Sequence, residues 1–209
     1  MRKFLLALGL LAFPALVSAE ANTFGLRLAG GYGTSMNSIQ SDQNYSESLS
    51  PGIPASAELL YYPAPGFGIS LGGYPIFMNR SVKYQVSTGL GTVDATQNET
   101  AVFVPYMVGL NFEYPLSAFF TLVGGIDAGY VPATTLSVDN SVYGKGTTTL
   151  GGGFAWRSEV GVDWNVTKHL SFGLAVQEVT FNLTKPTSQA RTTADFNQVA
   201  PMAVLEYKL

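Results

Sequence analysis

Nine charged residues stand singly in otherwise apolar or small-residue surroundings: Arg27, Glu58, Glu113, Asp127, Arg157, Glu159, Asp163, Glu206 and Lys208. Each lies one step out of phase with a row of large apolar residues. Isolated charges of both signs in such settings do one of two things. They pair with one another, because a charge removed from water needs a partner, or they line a narrow path for ions. The chain has one histidine, His169, and no cysteine. Thiolate chemistry, disulfides and a zinc–thiolate site are therefore excluded. A histidine base must reach its substrate within hydrogen-bonding distance, and His169 lies in a short turn. We read it as a solvated turn residue and expect no enzyme activity. The carboxylates Asp42, Glu47, Asp94, Glu99, Asp139 and Asp195 are scattered one or two per polar segment, which is not a metal-ligand spacing. Gly30-Gly31-Tyr32-Gly33 and Gly151-Gly152-Gly153 lack the Gly-Lys-Ser/Thr and strand–helix context of a phosphate loop. No cofactor or metal is expected.

The elements that must position these charges have a period of two. In Thr23–Tyr32, the residues Phe24, Leu26, Leu28 and Tyr32 alternate with Thr23, Gly25, Arg27, Ala29 and Gly31. The same alternation runs through Phe67–Gly72, Ala101–Tyr114, Phe120–Tyr130, Phe154–Val166 and Leu170–Gln177, and more weakly through Ala55–Tyr62 and Val199–Leu209. Period two marks strands whose faces meet different environments. Eight strands follow. Their links alternate between short turns at Pro63–Gly66, Pro115–Ala118 and Val166–His169 and long ones at Thr34–Pro54, Asn79–Thr100, Pro132–Thr149 and Thr184–Phe196. The long links are rich in Ser, Thr, Asn, Gln and Gly, and read as flexible surface loops.

Only 12% of the residues are charged, against 46% apolar, about half the charge usual for a soluble domain at roughly 25%. In a soluble sandwich the second row of each strand carries water-facing polar and charged residues. Here that row is mostly Gly, Ala and Ser, which suits the tight interior of an eight-stranded barrel, while the large aromatic-rich row suits lipid. Tyr61, Phe67, Tyr114, Phe120, Trp164 and Tyr207 lie near the short turns; Tyr32, Tyr106, Tyr130, Phe154 and Trp156 lie nearer the long links. Two such belts mark the two membrane interfaces. The fold expected is all-β, an eight-stranded antiparallel up-and-down transmembrane barrel over residues 20–209.

Ahead of it, Met1-Arg2-Lys3, the apolar run Phe4–Val17 and the small residues to Ala19 read as a secretory signal peptide over residues 1–19, cut between Ala19 and Glu20. The run is too short to span a bilayer. Its removal leaves nine basic against fourteen acidic residues, so nothing points to nucleic acid.

The leader, the hairpin rhythm and the last strand resemble the small eight-stranded outer-membrane proteins of Gram-negative bacteria, of the OmpA, OmpX and OmpW type. In that family the final strand carries an alternating apolar signal read by the barrel-assembly machinery. Val199, Pro201, Ala203, Leu205, Tyr207 and Leu209 match the alternation, with Leu209 where the family ends in an aromatic residue. The resemblance implies an outer-membrane location, contact with membrane lipid and lipopolysaccharide, an extracellular ligand at the long links, and a monomer. Some barrels of this size modify lipid A with an outward-side histidine; His169 faces the opposite compartment.

If the large rows face lipid, the nine charges point inward, with Asp163, Glu206 and Lys208 at the rim. Asp127 lies eight residues above Phe119, and Arg157 eight above Asn165, so the two are expected to pair; Arg27 and Glu58 are matched in height within a residue. Two functions follow. One is a plugged scaffold with a polar lumen network of Arg27, Glu58, Glu113, Asp127, Arg157, Glu159 and Asp163, acting through its long links in adhesion. The other is a narrow channel, cation-preferring by its excess of acids, or an OmpW-like carrier of small apolar molecules. The inward charges favour the first, with Phe103 and Met107 as the only apolar residues noted near the mouth. Glu178 breaks the lipid-facing row, either because the strand has left the apolar band or because a bulge shifts its register.

Overall fold

The computed structural model describes residues 21–35, 41–42, 45–49, 52–89, 91–185 and 192–209. Residues 1–20, with the expected leader and its cut between Ala19 and Glu20, lie outside the described residues. Eight strands make the barrel wall: β1 (Thr23–Gly31), β2 (Ile53–Ala64), β3 (Phe67–Gly73), β4 (Tyr106–Pro115), β5 (Phe120–Val131), β6 (Gly153–Asn165), β7 (Leu170–Lys185) and β8 (Thr192–Lys208). Each is antiparallel to the next, and β8 returns to β1 through seven register pairs, Gly25↔Lys208 to Gly31↔Met202.

Register partners define the shear. From Arg27 they run through Glu58, Gly72, Met107, Gly129, Ala155 and Phe181 to Phe196 on β8, whereas the direct partner of Arg27 on β8 is Glu206. Closure thus shifts the register by ten residues. Ten residues of rise against eight strand spacings set a tilt of about 40° and a backbone radius of about 8 Å. Such a barrel has room for side chains and little else.

The short turns are built by local chemistry. Pro65-Gly66 joins β2 to β3, with Pro fixing the first central residue and Gly66 at φ 71° taking the second. The other two turns share a device: the Ser117 hydroxyl accepts from the amides of Phe119 and Phe120 at 3.2 and 3.1 Å, and the Thr167 hydroxyl from those of His169 and Leu170 at 3.1 and 3.0 Å.

Away from the turns, the long links are not plain loops. Ile76–Thr88 pairs with Gly91–Phe103, and Thr134–Asn140 with Gly144–Leu150; the two hairpins join through Ser137↔Thr100 to Asn140↔Gln97, and Tyr45–Leu49 pairs with Arg80–Tyr84. The expectation of flexible loops is corrected here. Polar composition hid a period of two, in which Ile76, Met78, Val82, Ala95, Ala101 and Phe103 form one buried face, and Thr and Val suit strands as well as loops. The barrel strands run on into this raised sheet, interrupted at Tyr74-Pro75, Val104-Pro105, Pro132-Ala133 and Gly151-Gly152. Proline has no N–H for the ladder, so three of the four interruptions fall where pairing must stop.

The outward faces carry the two aromatic belts. Phe24, Tyr114, Phe120, Trp164 and Tyr207 are exposed near the short turns, and Tyr32, Tyr106, Tyr130, Phe154 and Trp156 near the raised sheet. On β7 the register with β6 and β8 is continuous, which removes the bulge as the reason for Glu178. The outward row of β7 changes from Phe172, Leu174 and Val176 to Glu178, Thr180 and Asn182, and Asn197 donates to Glu178 at 3.2 Å. The strand has left the apolar band.

Candidate functional site

Inside the wall the side chains form three layers. The middle one centres on Arg157, which is fully buried. Its Nε donates to Asp127 Oδ2 at 2.8 Å, while Nη1 and Nη2 fork onto the two oxygens of Glu58 at 2.8 and 3.2 Å. Glu159 Oε2 stands 3.7 Å from Nη1, and the guanidinium lies 4.4 Å over the Tyr74 ring. Fork geometry with stacking uses every property that separates Arg from Lys. The carboxylates are held in turn: Ser70 donates to Asp127 Oδ1 at 2.7 Å and Ser56 to Glu58 at 3.1 Å.

Asp127 and Arg157 are register partners on β5 and β6, and so are Arg27 and Glu58 on β1 and β2. Register and pairing coincide for the first pair and part company for the second. Arg27 reaches across the lumen to Glu159 on β6, and Glu58 is taken by Arg157, also on β6. A lumen this narrow puts opposite walls as close together as neighbouring strands.

Below lies a second layer that the sequence reading set at the rim. Asp163 and Glu206 are buried, which corrects that placement for both, while Lys208 is half-buried with 15% of its side chain exposed. The tilt brings these low positions on β6 and β8 under the middle layer rather than out at the mouth. Lys208 Nζ sits 2.8 Å from Glu113 Oε2 and 3.5 Å from Glu206 Oε1, and the Tyr62 hydroxyl bridges Glu113 and Glu206 at 2.5 and 2.8 Å. Asp163 Oδ1 has no hydrogen-bond partner among the described residues. In the two polar layers Glu58, Glu113, Asp127, Glu159, Asp163 and Glu206 face Arg27, Arg157 and Lys208, six acids against three cations.

Glycine makes the room. Glu58 has Gly72 as cross-strand partner, Asp127 has Gly109 and Asp163 has Gly173. In each case a Cβ on the glycine would collide with the acidic side chain. Each acid is a knob in a hole left by a missing side chain, the small–large alternation of a small barrel interior.

Above the charges the lumen turns apolar, which the sequence reading had signalled only through Phe103 and Met107. Both are buried, in a cluster with Tyr74, Ile76, Met78, Val131, Leu136, Val179, Phe181, Leu183 and Phe196. Phe181 stacks on Phe196 at 4.5 Å between ring centroids, and Phe103 packs against both at 5.1 and 6.2 Å. Ile76, Met78, Ala101, Phe103 and Leu136 of this layer come from the raised sheet. The polar row that alternates with this buried face gives the sheet the composition of a loop.

At the other end, His169 Nδ1 lies 2.9 Å from the carbonyl oxygen of Lys208. A carbonyl only accepts, so Nδ1 carries the proton there. Leu205, Tyr207 and Leu209 are exposed along the outward row of the last strand.

The arrangement matches known proteins at the level of family and fold. Residues 4–201 match the outer membrane protein beta-barrel domain. No curated protein matches the chain. Among solved structures, Neisserial surface protein A is 10% identical with a TM-score of 0.50, covering 89% of this chain and 97% of that one. Outer Membrane Protein W of E. coli is 15% identical with a TM-score of 0.48, covering 92% and 100%. OprG from Pseudomonas aeruginosa is 15% identical with a TM-score of 0.47, covering 92% and 98%. A closed eight-stranded wall with two aromatic belts, matched over nearly its whole length, places this protein in the outer membrane as a member of the outer membrane protein beta-barrel family.

Proposed function

We propose that the barrel is a closed scaffold that acts through its raised extracellular sheet, as an adhesion or surface-interaction protein. The observation that carries this reading is the filling of the lumen. Two charged layers and one apolar layer succeed one another, with Arg157, Tyr74, Phe103 and Phe181 each 1% exposed or less. An ion crossing the lumen would have to pass both the paired charges and the apolar layer above them. Meanwhile the hairpins Ile76–Phe103 and Thr134–Leu150 extend the wall beyond the upper aromatic belt, where lipopolysaccharide and host or neighbouring surfaces are reached.

Three further readings belong to the same proposal. Residues 1–19 are a leader removed before Glu20. The outward row Leu205, Tyr207 and Leu209 is the signal through which the barrel-assembly machinery takes up the last strand. The protein works as a monomer, without cofactor and without catalysis.

A carrier for small apolar molecules is the second reading, favoured by the apolar upper layer. The charged layers beneath it argue against through passage. One experiment separates the two. Replacing Asn79–Thr100 and Thr135–Thr149 by short turns should abolish binding of expressing cells to a target surface, leave the boiling-dependent gel shift intact, and leave the purified protein silent in planar bilayers. Stable cation-selective steps from the unmodified chain would overturn the closed lumen, and unaltered binding with altered uptake of apolar solutes would favour the carrier.

A further inference from the structure

At the short-turn end, a cavity of about 560 Å³ opens between the turn Pro115–Ala118, the turn Val166–His169 and the end of β8. The two turns are tied together, the Asn165 amide donating to the Phe119 carbonyl at 2.7 Å. Each brings the same group to the cavity. The Ser117 and Thr167 hydroxyls both accept from two backbone amides, and neither hydroxyl proton has an acceptor among the described residues. A hydroxyl that accepts hydrogen bonds is the stronger donor. Lys168 is exposed and forms no ion pair among the described residues. His169 and the half-buried Lys208 complete the charged and titratable side chains of the lining. Among the described residues no aspartate or glutamate lines the cavity. Glu113 and Glu206, which hold Lys208 at 2.8 and 3.5 Å, stand outside the lining.

We propose that this cavity binds a phosphate group from the periplasmic side, where the short turns of such barrels lie. Hydroxyl and ammonium donors gathered without a carboxylate suit an anion, and charge-assisted bonds from them are the strong ones. The donors come from two turns and a strand end, on different sides of the cavity. A tetrahedral group with an acceptor oxygen on every side meets that arrangement better than a planar carboxylate does. Two sources offer the group: the head of an inner-leaflet phospholipid, or a soluble phosphate ester. Trp164 and Tyr207 of the lower belt adjoin Asn165 and Lys208 of the lining in sequence, so lipid heads are at this height.

His169 is the one histidine of the chain and lines the cavity, so its ring Cε1–H gives a single NMR signal from this mouth. The protein is held in maltoside micelles, which carry no phosphate, at fixed pH and ionic strength. Inorganic phosphate is expected to move the signal saturably, with half-saturation at about 1 mM, the strength of a few charge-assisted hydrogen bonds. Sodium chloride should leave it unmoved. Ser117→Asp and Thr167→Asp keep an acceptor for the turn amides but remove a donor and add a negative charge. Each should weaken phosphate at least about tenfold while the boiling-dependent gel shift persists. Lys168→Gln should weaken it about threefold, as loss of an exposed charge does. Ala64→Asp, at the third short turn and outside the lining, adds the same charge and should leave binding unaltered. In phosphatidylglycerol nanodiscs, a signal already at its phosphate-bound position that added phosphate leaves in place assigns the site to lipid heads. A signal at the free position that phosphate still moves assigns it to soluble esters. A response that does not saturate, that chloride reproduces, or that survives both Asp variants overturns the proposal. So does a signal at the free position in nanodiscs that phosphate no longer moves.

Discussion

Arg157→Met is expected to lower the stability of the folded barrel by about 3–5 kcal/mol, the cost of breaking a buried ion pair by removing one partner. Arg157 is fully buried and is the hydrogen-bonded cation for both Asp127 and Glu58, with Glu159 close by. Its loss leaves three acids facing one another, with Arg27 as the nearest remaining cation. Lysine should not rescue, because a point charge cannot fork onto Glu58 and donate to Asp127 together. The comparison is Arg80→Met on the raised sheet. Arg80 pairs with Glu99 at 3.1 Å with 24% of its side chain exposed, so water reaches this cation and its removal should cost less than that of the fully buried Arg157. The measurement is urea unfolding in lipid vesicles, followed by the boiling-dependent gel shift. A midpoint for Arg157→Met no lower than that of Arg80→Met would show that the lumen charges carry little of the fold.

The second large effect is expected at Gly129. A Cβ there would run into the backbone oxygen of Tyr106 and Cα of Met107, and neither can yield without opening the β4–β5 ladder. Gly129→Val should therefore give little or no folded barrel, a loss well beyond the about 1–3 kcal/mol of ordinary overpacking. Gly30→Val is the control, since nothing lies within 4 Å of the added Cβ. It should fold as the native chain does. The readout is the fraction of membrane-extracted protein that migrates as the compact form before boiling. Equal fractions for the two variants would mean that the wall adjusts at Gly129 in a way the register does not suggest.

How much of this could be read from the residues depends on what each feature rests on. The eight wall strands rest on alternation of large with small residues, which is local, so they were legible. The facing of Asp127 and Arg157 was legible because both strands are counted from turns at the same end. The partnership of Arg27 with Glu159 rests on curvature and closure, and no one-dimensional count contains it. Asp163 and Glu206 were set at the rim because counting from a turn ignores the tilt that draws low positions beneath their neighbours. The glycine partners of Glu58, Asp127 and Asp163 lay in the sequence throughout, and became meaningful only with the register. The raised sheet was missed for a different reason. Thr, Ser and Asn dominate its outer face, and in composition they mask the buried row that alternates with them.

The cross-lumen pairs also bear on how the wall comes together. Arg27 and Glu159 are 132 positions apart in the chain, and Glu58 and Arg157 are 99 apart. Neither contact exists in any run of two or three neighbouring strands. A partly formed sheet therefore carries Glu58 and Glu159 without these cross-lumen partners, on a surface about to enter hydrocarbon. That makes every intermediate short of the ring poor and the ring itself favourable, so closing should be cooperative, and slow as contacts between distant segments are. The charges in the middle of this protein act as a latch. They reward the chain only when its first strand, its sixth and its last are in place together.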